Sequence, residues 1–596
     1  MDAETRGAQR RVSPPLILAI VGGLLLLPWI GRVPLLDSDE PRFAECSRQM
    51  LVTGNWLYPQ FNGIPRHAKP AFFNWVQLGA YSLLGVNEFA ARLPSVLATV
   101  GTGLLLYWFA RRWRGERVAI LAMATWFALP QTHLWGKMSV VDPLLTLLTA
   151  AALTTAFVGM ETERGGWRWY VVSGFAMGLA MLTKGPVGIV IPAAVYLFYA
   201  LGARSLRKGF GRASPYLALL IAAAVAGPWF ALQIMHYGPN YVHEFWGYHN
   251  VHRYASARTI HPLGQPWAIL VRLLLSLPVS VLLPNVLLAR LVRWVWPIPT
   301  VLVFAFPVSV LLPRALLEPL RSRRAAWAGE ADVRWRLFLA VWVVTDAVLL
   351  APSGTILPQY LLALYPPAAL LIADLLAREA FVGEAAARRS AWTIGALLAF
   401  GLLLGAGASY AAWQAPALAP KGNLDNAPLM AGIAWTLAGV VACAGLMTAV
   451  AWARARGLRL VVPVLGMALA VGVLIADVVW PAYGITRDQG LKELGLVCRD
   501  ALPADAELID YRLMTSTAVF YSRHTVVWTP RGDRQEAQRK LAEHPRAYVL
   551  THRRSMPELY SRGLRVKAAA RQYVLLEPAT TAPAASTAAT LPPPPR

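Results

Sequence analysis

Residues Leu35–Trp75 read LLDSDEPRFAECSRQMLVTGNWLYPQFNGIPRHAKPAFFNW. Asp37, Asp39, Glu40 and Glu45 crowd its opening beside Arg42, in a chain with only 32 acidic residues among 596. The stretch follows an apolar run, Pro15–Ile30, so the acidic cluster stands at a membrane boundary, where ionisable groups are functional suspects. A plainer reading competes with this one: Asp37–Glu40 cap an amphipathic helix over Pro41–Met50 and complement its dipole.

The apolar run is the first of many. Hydrophobic residues make up 56% of the chain and charged residues 15%, where a soluble globular chain carries about 25% charged. Mean hydropathy is +0.45. At roughly 20 residues per spanning helix there is material for a dozen or so spans, which excludes a soluble enzyme, a fibrous protein and a disordered chain. Arg6, Arg10 and Arg11 flank the first run, but no small-residue cleavage site precedes Asp37, so it reads as a retained helix.

The net charge of +24 serves orientation and anionic headgroups first; nucleic acid is not expected as a partner. Basic clusters at Arg111–Arg117, Arg204–Arg212, Arg378–Arg389 and Arg454–Arg459 share one side if residues 1–14 are cytoplasmic. The other side receives loops 37–87, 137–142, 183–185, 235–264, 353–359 and 413–427 and everything after 481. One region strains this parity. PVSVLLP occurs at Pro278–Pro284 and again at Pro307–Pro313. The second copy is rich in proline and reads as a re-entrant or interfacial hairpin on the cytoplasmic side. The three cysteines, Cys46, Cys443 and Cys498, have no metal-site spacing, and one bridge between Cys46 and Cys498 stays open.

The expected architecture is therefore a polytopic α-helical membrane protein of about 13 transmembrane helices over residues 15–484. Its main external loops are 37–87 and 235–264. Past 485, short apolar runs at Glu507–Asp510, Thr525–Trp528 and Ala547–Thr551 alternate with the polar helical stretch Asp533–Glu543. That alternation predicts a small periplasmic α/β domain over 485–577. Residues 578–596 are low-complexity and read as disordered.

A run of motifs then gives a resemblance. Asp-Glu-x-Arg-aromatic-Ala-Glu at Asp39–Glu45 is followed by Gly54-Asn55-Trp56, Phe61-Asn62-Gly63, Lys69-Pro70 and the block Asn87–Ser95. Further on come Asp142, Leu182–Pro186, His249-Asn250-x-x-Arg253-Tyr254 and Leu357-Pro358-x-Tyr360. Over roughly residues 15–380 this resembles the 4-amino-4-deoxy-L-arabinose transferase-like glycosyltransferases, GT-C membrane enzymes of the protein O-mannosyltransferase superfamily. The resemblance implies a GT-C fold and transfer of a sugar from undecaprenyl phosphate to a periplasmic acceptor such as lipid A. It also implies an inner-membrane location, membrane lipids as surroundings, and a monomer.

The resemblance also implies inversion at the anomeric carbon, which in one step needs a carboxylate base to take the acceptor proton; Asp39 is the candidate, with Glu40 beside it. Asp142 is a second catalytic candidate, through an acceptor contact. A phosphate leaving group calls for cations rather than a general acid. Lys69 and Arg253 are the candidates, with Tyr360 as a neutral donor and Arg42 to orient Asp39 or meet the phosphate. Lys184, a lysine among apolar runs, is expensive unless paired; it is either functional or held by backbone carbonyls at a broken helix end.

The chain departs from the family pattern at Ala68, where a glutamate implicated in a divalent metal site is usual, and it lacks the lysine expected before Leu357. Five histidines lie between His236 and His261, and imidazoles suit zinc. His261 and His249 are candidate ligands, with His67 replacing the lost carboxylate; plain interfacial histidines are the competing reading. Protein O-glycosyl or mannosyl transfer is the alternative function. A lipid or sugar-lipid transporter is the alternative class.

Overall fold

The computed structural model describes residues 13–37, 39–210, 214–252, 305–351, 357–381, 397–399, 401–406, 409, 427–454, 458–560 and 562–578. The contacts divide the chain into two units: 1–35 with 42–486, and 36–41 with 487–596.

The larger unit is helical. Its first helix, Pro14–Leu26, stops short of the apolar run's end, because Pro28 has no N–H with which to continue the hydrogen-bond ladder. The long element Glu88–Ala128 is two helices meeting at Gly115, whose φ of 81° breaks the rod inside the basic Arg111–Arg117 cluster. Helix Trp167–Lys184 packs against both Asp142–Glu161 and Ser214–Tyr237. The approach is close enough that a Cβ at Gly174 would lie 2.4 Å from the Ala218 carbonyl oxygen, the small-residue packing expected where helices associate in lipid.

Five described helices are long and apolar enough to cross a membrane: Glu88–Ala128, Asp142–Glu161, Ser214–Tyr237, Pro358–Ala380 and Leu458–Ala501. Shorter apolar helices include Pro14–Leu26, Val187–Gly202 and Trp435–Ala451. The expected 13 spans are not reached among the described residues, and part of the sequence assigned to them lies outside those residues.

Shared carboxylates join three of the basic clusters to the Arg321–Arg336 stretch. Arg114 pairs with Asp332 and, at 2.7 Å, with Asp374. Arg378 bridges Asp374 and Glu318. Arg334 and Lys208 share Glu161 at 2.6 and 3.2 Å. The Arg321–Arg336 stretch thus sits with Arg114 and Arg378, as the parity argument requires. The second PVSVLLP copy forms a 3-10 turn, Val308–Leu311, and a helix, Leu312–Arg321. Neither is long enough to span a bilayer. The first copy lies outside the described residues.

The smaller unit is α/β. Five strands run β3 (Leu508–Asp510), β4 (Val526–Trp528), β5 (Tyr548–His552), β6 (Arg565–Ala570) and β7 (Tyr573–Glu577). They lie in the order β4-β3-β5-β7-β6. β3 is parallel to β4 and β5, and β7 is antiparallel to β5 and β6. Ile509, Val549, Val574 and Leu576 form its core with Ala537 and Leu541 of the Arg534–Glu543 helix, which Asp533 caps by accepting from Glu536 N at 3.0 Å. Burial pushes the Asp510 carboxyl up to about 7, although its oxygens accept from the backbone N–H groups of Leu513, Met514 and Thr515. These bonds hold the turn that leads from β3 into the Ser516–Ser522 helix.

Candidate functional site

The loop that opened the reading folds in two steps. Helix Asp39–Thr53 begins earlier than the expected Pro41; proline is tolerated in a first turn, where no intrahelical N–H bond is lost. Asp37 Oδ1 accepts from Ser516 N at 2.8 Å. Glu40 turns back, its Oε2 accepting from Leu36 N at 2.8 Å. Glu45 is buried and bonded through both oxygens to Arg48, at 2.8 and 2.7 Å.

The Phe61-Asn62-Gly63 motif then explains itself. Asn62 and Gly63 have φ of 56° and 75° and join β1 (Gln60–Phe61) to β2 (Ile64–Pro65) as a tight hairpin, the turn that Asn-Gly favours. Lys69, half-buried, follows on the segment leading to helix Phe72–Leu84. Four contacts fix this region. Arg66 stacks over the Phe43 ring at 4.2 Å. Trp75 Nε1 donates to the Trp56 carbonyl at 2.7 Å. Trp229 Nε1 and Gln233 Nε2 both donate to the Leu57 carbonyl, at 3.1 and 2.8 Å. The tryptophans Trp56 and Trp75 therefore brace the loop.

Three of the sequence candidates meet in one place. Asp142 opens helix Asp142–Glu161 and Lys184 closes helix Trp167–Lys184. Lys184 Nζ lies 2.5 Å from Asp142 Oδ1, with both side chains largely buried. Each charge also suits its own helix end, the acid at an N-terminus and the base at a C-terminus. Gly185 has φ of 85°, and a Cβ there would meet Phe245 at 2.9 Å. Glycine is thus required twice over in the Thr-Lys-Gly-Pro motif.

The Tyr360 ring lies 3.8 Å from the same ammonium, within cation–π range. Tyr360 sits on the 3-10 turn Pro358–Leu364, which Gln131 Nε2 holds by donating to the Pro358 carbonyl at 2.9 Å. Lys184 is therefore held by a carboxylate and a ring, and the alternative of backbone carbonyls is set aside. Asp142, read as an acceptor contact, is the counter-ion of Lys184.

Two of the three histidine candidates, His67 and His249, are described. His67 Nδ1 is 2.8 Å from Glu244 Oε2, its ring packs on Tyr237 and Tyr241, and its Nε2 is buried with no hydrogen-bond partner among the described residues. His249 lies on the π-helix Val242–His252 with its ring against Tyr248. Among the described residues no three His, Cys, Asp or Glu side chains are placed to hold a metal ion. No complete metal site is therefore formed by them, and no step is routed through one. His261 and Arg253 lie outside the described residues. Cys46 and Cys498 are both free and buried, so the bridge left open above is not made.

A family model described as dolichyl-phosphate-mannose-protein mannosyltransferase matches residues 68–231. The undecaprenyl phosphate-alpha-4-amino-4-deoxy-L-arabinose arabinosyl transferase of Edwardsiella ictaluri is 29% identical over 59% of this chain and 57% of its own. That of Erwinia tasmaniensis is 28% identical over 74% and 73%, and that of Aeromonas hydrophila 34% identical over 44% and 48%. The aligned stretch thus spans about half to three quarters of the length of these relatives. The crystal structure of ArnT from Cupriavidus metallidurans bound to undecaprenyl phosphate superposes with a TM-score of 0.68 at 20% identity, over 95% of this chain and 98% of that one. This chain is similar to the aminoarabinosyltransferases and shares the GT-C fold of ArnT.

Two groups had no role in the sequence reading, and the first lies within one of the family's motifs. Arg92 of the Asn87–Ser95 block is buried and donates to the carbonyls of Ile30, Val33 and Pro34, at 2.8, 2.8 and 2.9 Å. It fixes the turn by which the chain leaves its first helix. Ser47, Asn74, Gln77 and Ser139 form a buried chain of hydrogen bonds, with Ser47 Oγ donating to Gln77 Oε1 at 2.6 Å and Gln77 Nε2 to Ser139 Oγ at 2.7 Å. A lone arginine in an apolar helix was the available signal for the first; nothing in the spacing marks the second. The usual family glutamate is absent at Ala68, and a different carboxylate, Glu244, stands against the neighbouring His67.

Proposed function

We propose that this protein is an inverting glycosyltransferase that moves a sugar from undecaprenyl phosphate to a hydroxyl of an envelope acceptor, lipid A first among them. It acts as a monomer at the periplasmic face of the bacterial inner membrane. The observation that carries this reading is the convergence of Asp142, Lys184 and Tyr360 from three distant motifs of the family into one ion-pair site. The names of the relatives and the nearly end-to-end fold match with a protein crystallised with undecaprenyl phosphate support it.

In the proposed reaction Asp39 takes the acceptor proton as the acceptor oxygen attacks the anomeric carbon, and the bond from that carbon to the phosphate oxygen breaks on the opposite face. The phosphate leaves with the electron pair, and Lys69 and Arg253 offset its charge, assisted by Arg42 and the Tyr360 hydroxyl. Glu40 is tied to Leu36 N and shapes the segment that carries Asp39. The Asp142–Lys184 pair keeps a cation at fixed position without a net charge.

Mass spectrometry of lipid A, other envelope glycans and exported proteins from cells with and without the gene tests this. Loss of a pentosyl or hexosyl mass from lipid A supports the proposal. Loss from exported proteins alone overturns lipid A in favour of protein O-glycosylation, the reading that the mannosyltransferase family match favours. No change in any class, or wild-type transfer by Asp39→Asn, removes the proposal. Zinc bound through His67, His249 and His261 is a separate proposal, decided by metal analysis of the purified protein with and without His261→Ala.

A further inference from the structure

The segment carrying Asp39 is part of the smaller unit: residues 36–41 cluster with 487–596. Within it, Asp37 is held through three of its atoms. Its N–H donates to Asp488 Oδ2 at 3.3 Å. Its Oδ1 accepts from Ser516 N at 2.8 Å, and its Oδ2 lies 3.6 Å from Arg487 Nη2. One turn later Glu40 closes back on Leu36 N at 2.8 Å. Asp39 thus sits between two anchored neighbours.

We propose that Asp488, acting through Asp37, is a positioning residue for Asp39, so that the C-terminal α/β unit sets the conformation of the segment carrying the base. The proposal rests on the reading of Asp39 as that base. Asp488 is a costly residue for packing alone. It is 1% exposed, and its Oδ1 has no hydrogen-bond donor among the described residues, only the Arg487 Nε at 3.7 Å. A buried carboxylate so incompletely served weakens a fold. Here it is retained where it fixes one backbone amide, two residues from the proposed base. Such placement matters because small displacements of a reacting group cost large factors in rate.

Two variants separate positioning from general destabilisation. Asp488→Ala removes the acceptor of the Asp37 amide. Ser516→Pro removes the N–H that donates to the Asp37 carboxylate, together with the buried Ser516 hydroxyl. Ser516 is the first residue of helix Ser516–Ser522, where proline is well accommodated, and Thr515 before it is already extended, at φ −102° and ψ 132°.

Hydrogen–deuterium exchange of the full-length protein in nanodiscs should show faster exchange in peptides covering 36–45 for both variants, while the amides of β5 and β7 keep wild-type protection. With undecaprenyl-phosphate aminoarabinose and lipid A as the probe pair, kcat should fall about tenfold to a hundredfold, with KM for the donor within about twofold, because the phosphate contacts are untouched. Asp488→Asn, which keeps an acceptor oxygen, should recover most of kcat. Wild-type protection of 36–45 in both variants overturns the proposal, as does a wild-type kcat in both beside an inactive Asp39→Asn. Should Asp488→Ala also expose β5 and β7, Ser516→Pro alone decides. Full activity in Asp39→Asn would instead overturn the assignment of the base, leaving the exchange measurement to decide the anchoring.

Discussion

Lys184 Nζ lies 2.5 Å from Asp142 Oδ1 at the junction of two helix ends, with the two side chains 11% and 6% exposed. Breaking a buried pair from one side leaves the other charge uncompensated, at about 3–5 kcal/mol, whereas replacing both by apolar groups of similar volume is often neutral. Asp142→Leu and Lys184→Met should therefore each lower the thermal midpoint in detergent, followed by tryptophan fluorescence, and the double variant should recover most of the loss. A double variant as unstable as the sum of the singles would show that the charges do not interact.

Tyr360 supplies its ring to that ammonium at 3.8 Å. Tyr360→Phe keeps the ring, so the thermal midpoint should hold, while Tyr360→Ala should lose about 0.5–2 kcal/mol. If the hydroxyl also donates to the donor phosphate, Tyr360→Phe raises KM for the donor with little change in midpoint. Phe and Ala variants of equal stability would remove the cation–π contribution.

These contacts mark the boundary of what the sequence makes legible. Asp142, Lys184 and Tyr360 stand out individually as polar groups at the ends of apolar runs, but their partnership spans more than two hundred residues and no local rule encodes it. Asn62-Gly63 is legible as a hairpin because the turn demands positive φ at both positions. In the α/β unit, β3, β4, β5 and the Arg534–Glu543 helix lie where the apolar alternation and the Asp533 cap put them. β6 was missed because Arg565–Ala570 is mostly exposed and carries little apolar signal. The membership of residues 36–41 in that unit was invisible, since Asp37 meets Asp488 and Ser516 across 451 and 479 residues of sequence.

Arg92 satisfies three carbonyls of the chain leaving the first helix. Arg92→Ala would strand them in a buried place, where each lost partner costs about 1–3 kcal/mol. Arg92→Lys should not restore stability, because one ammonium on a flexible stem cannot reproduce the planar fork that reaches Ile30, Val33 and Pro34 together. Equal midpoints for the lysine variant and the wild type would overturn that geometry.

Lys69 is proposed to meet the donor phosphate, a group charged in the ground state as well as during transfer. Its loss should therefore appear mainly in binding: Lys69→Ala raises KM for the undecaprenyl-phosphate donor more than it lowers kcat. Initial-rate kinetics at saturating acceptor separate the two constants. A fall in kcat with KM unchanged would move Lys69 from the phosphate to the transition state alone.

Burial pushes the Asp510 carboxyl of the α/β unit up to about 7, against the pull of the Thr515, Leu513 and Met514 N–H groups and of Arg531. An unfolded aspartate releases its proton near 3.9. Between about pH 4 and 7 the native state therefore binds more protons than the unfolded state, so stability falls as pH rises through this window and levels off above it. Exchange protection of the β3 and β5 amides in the full-length protein, corrected for intrinsic rates, should thus be greater at pH 5 than at pH 7.5. Asp510→Asn carries no titrating proton and should reduce that difference. A slope that is unchanged in Asp510→Asn would mean that Asp510 ionises at its ordinary value in the native state.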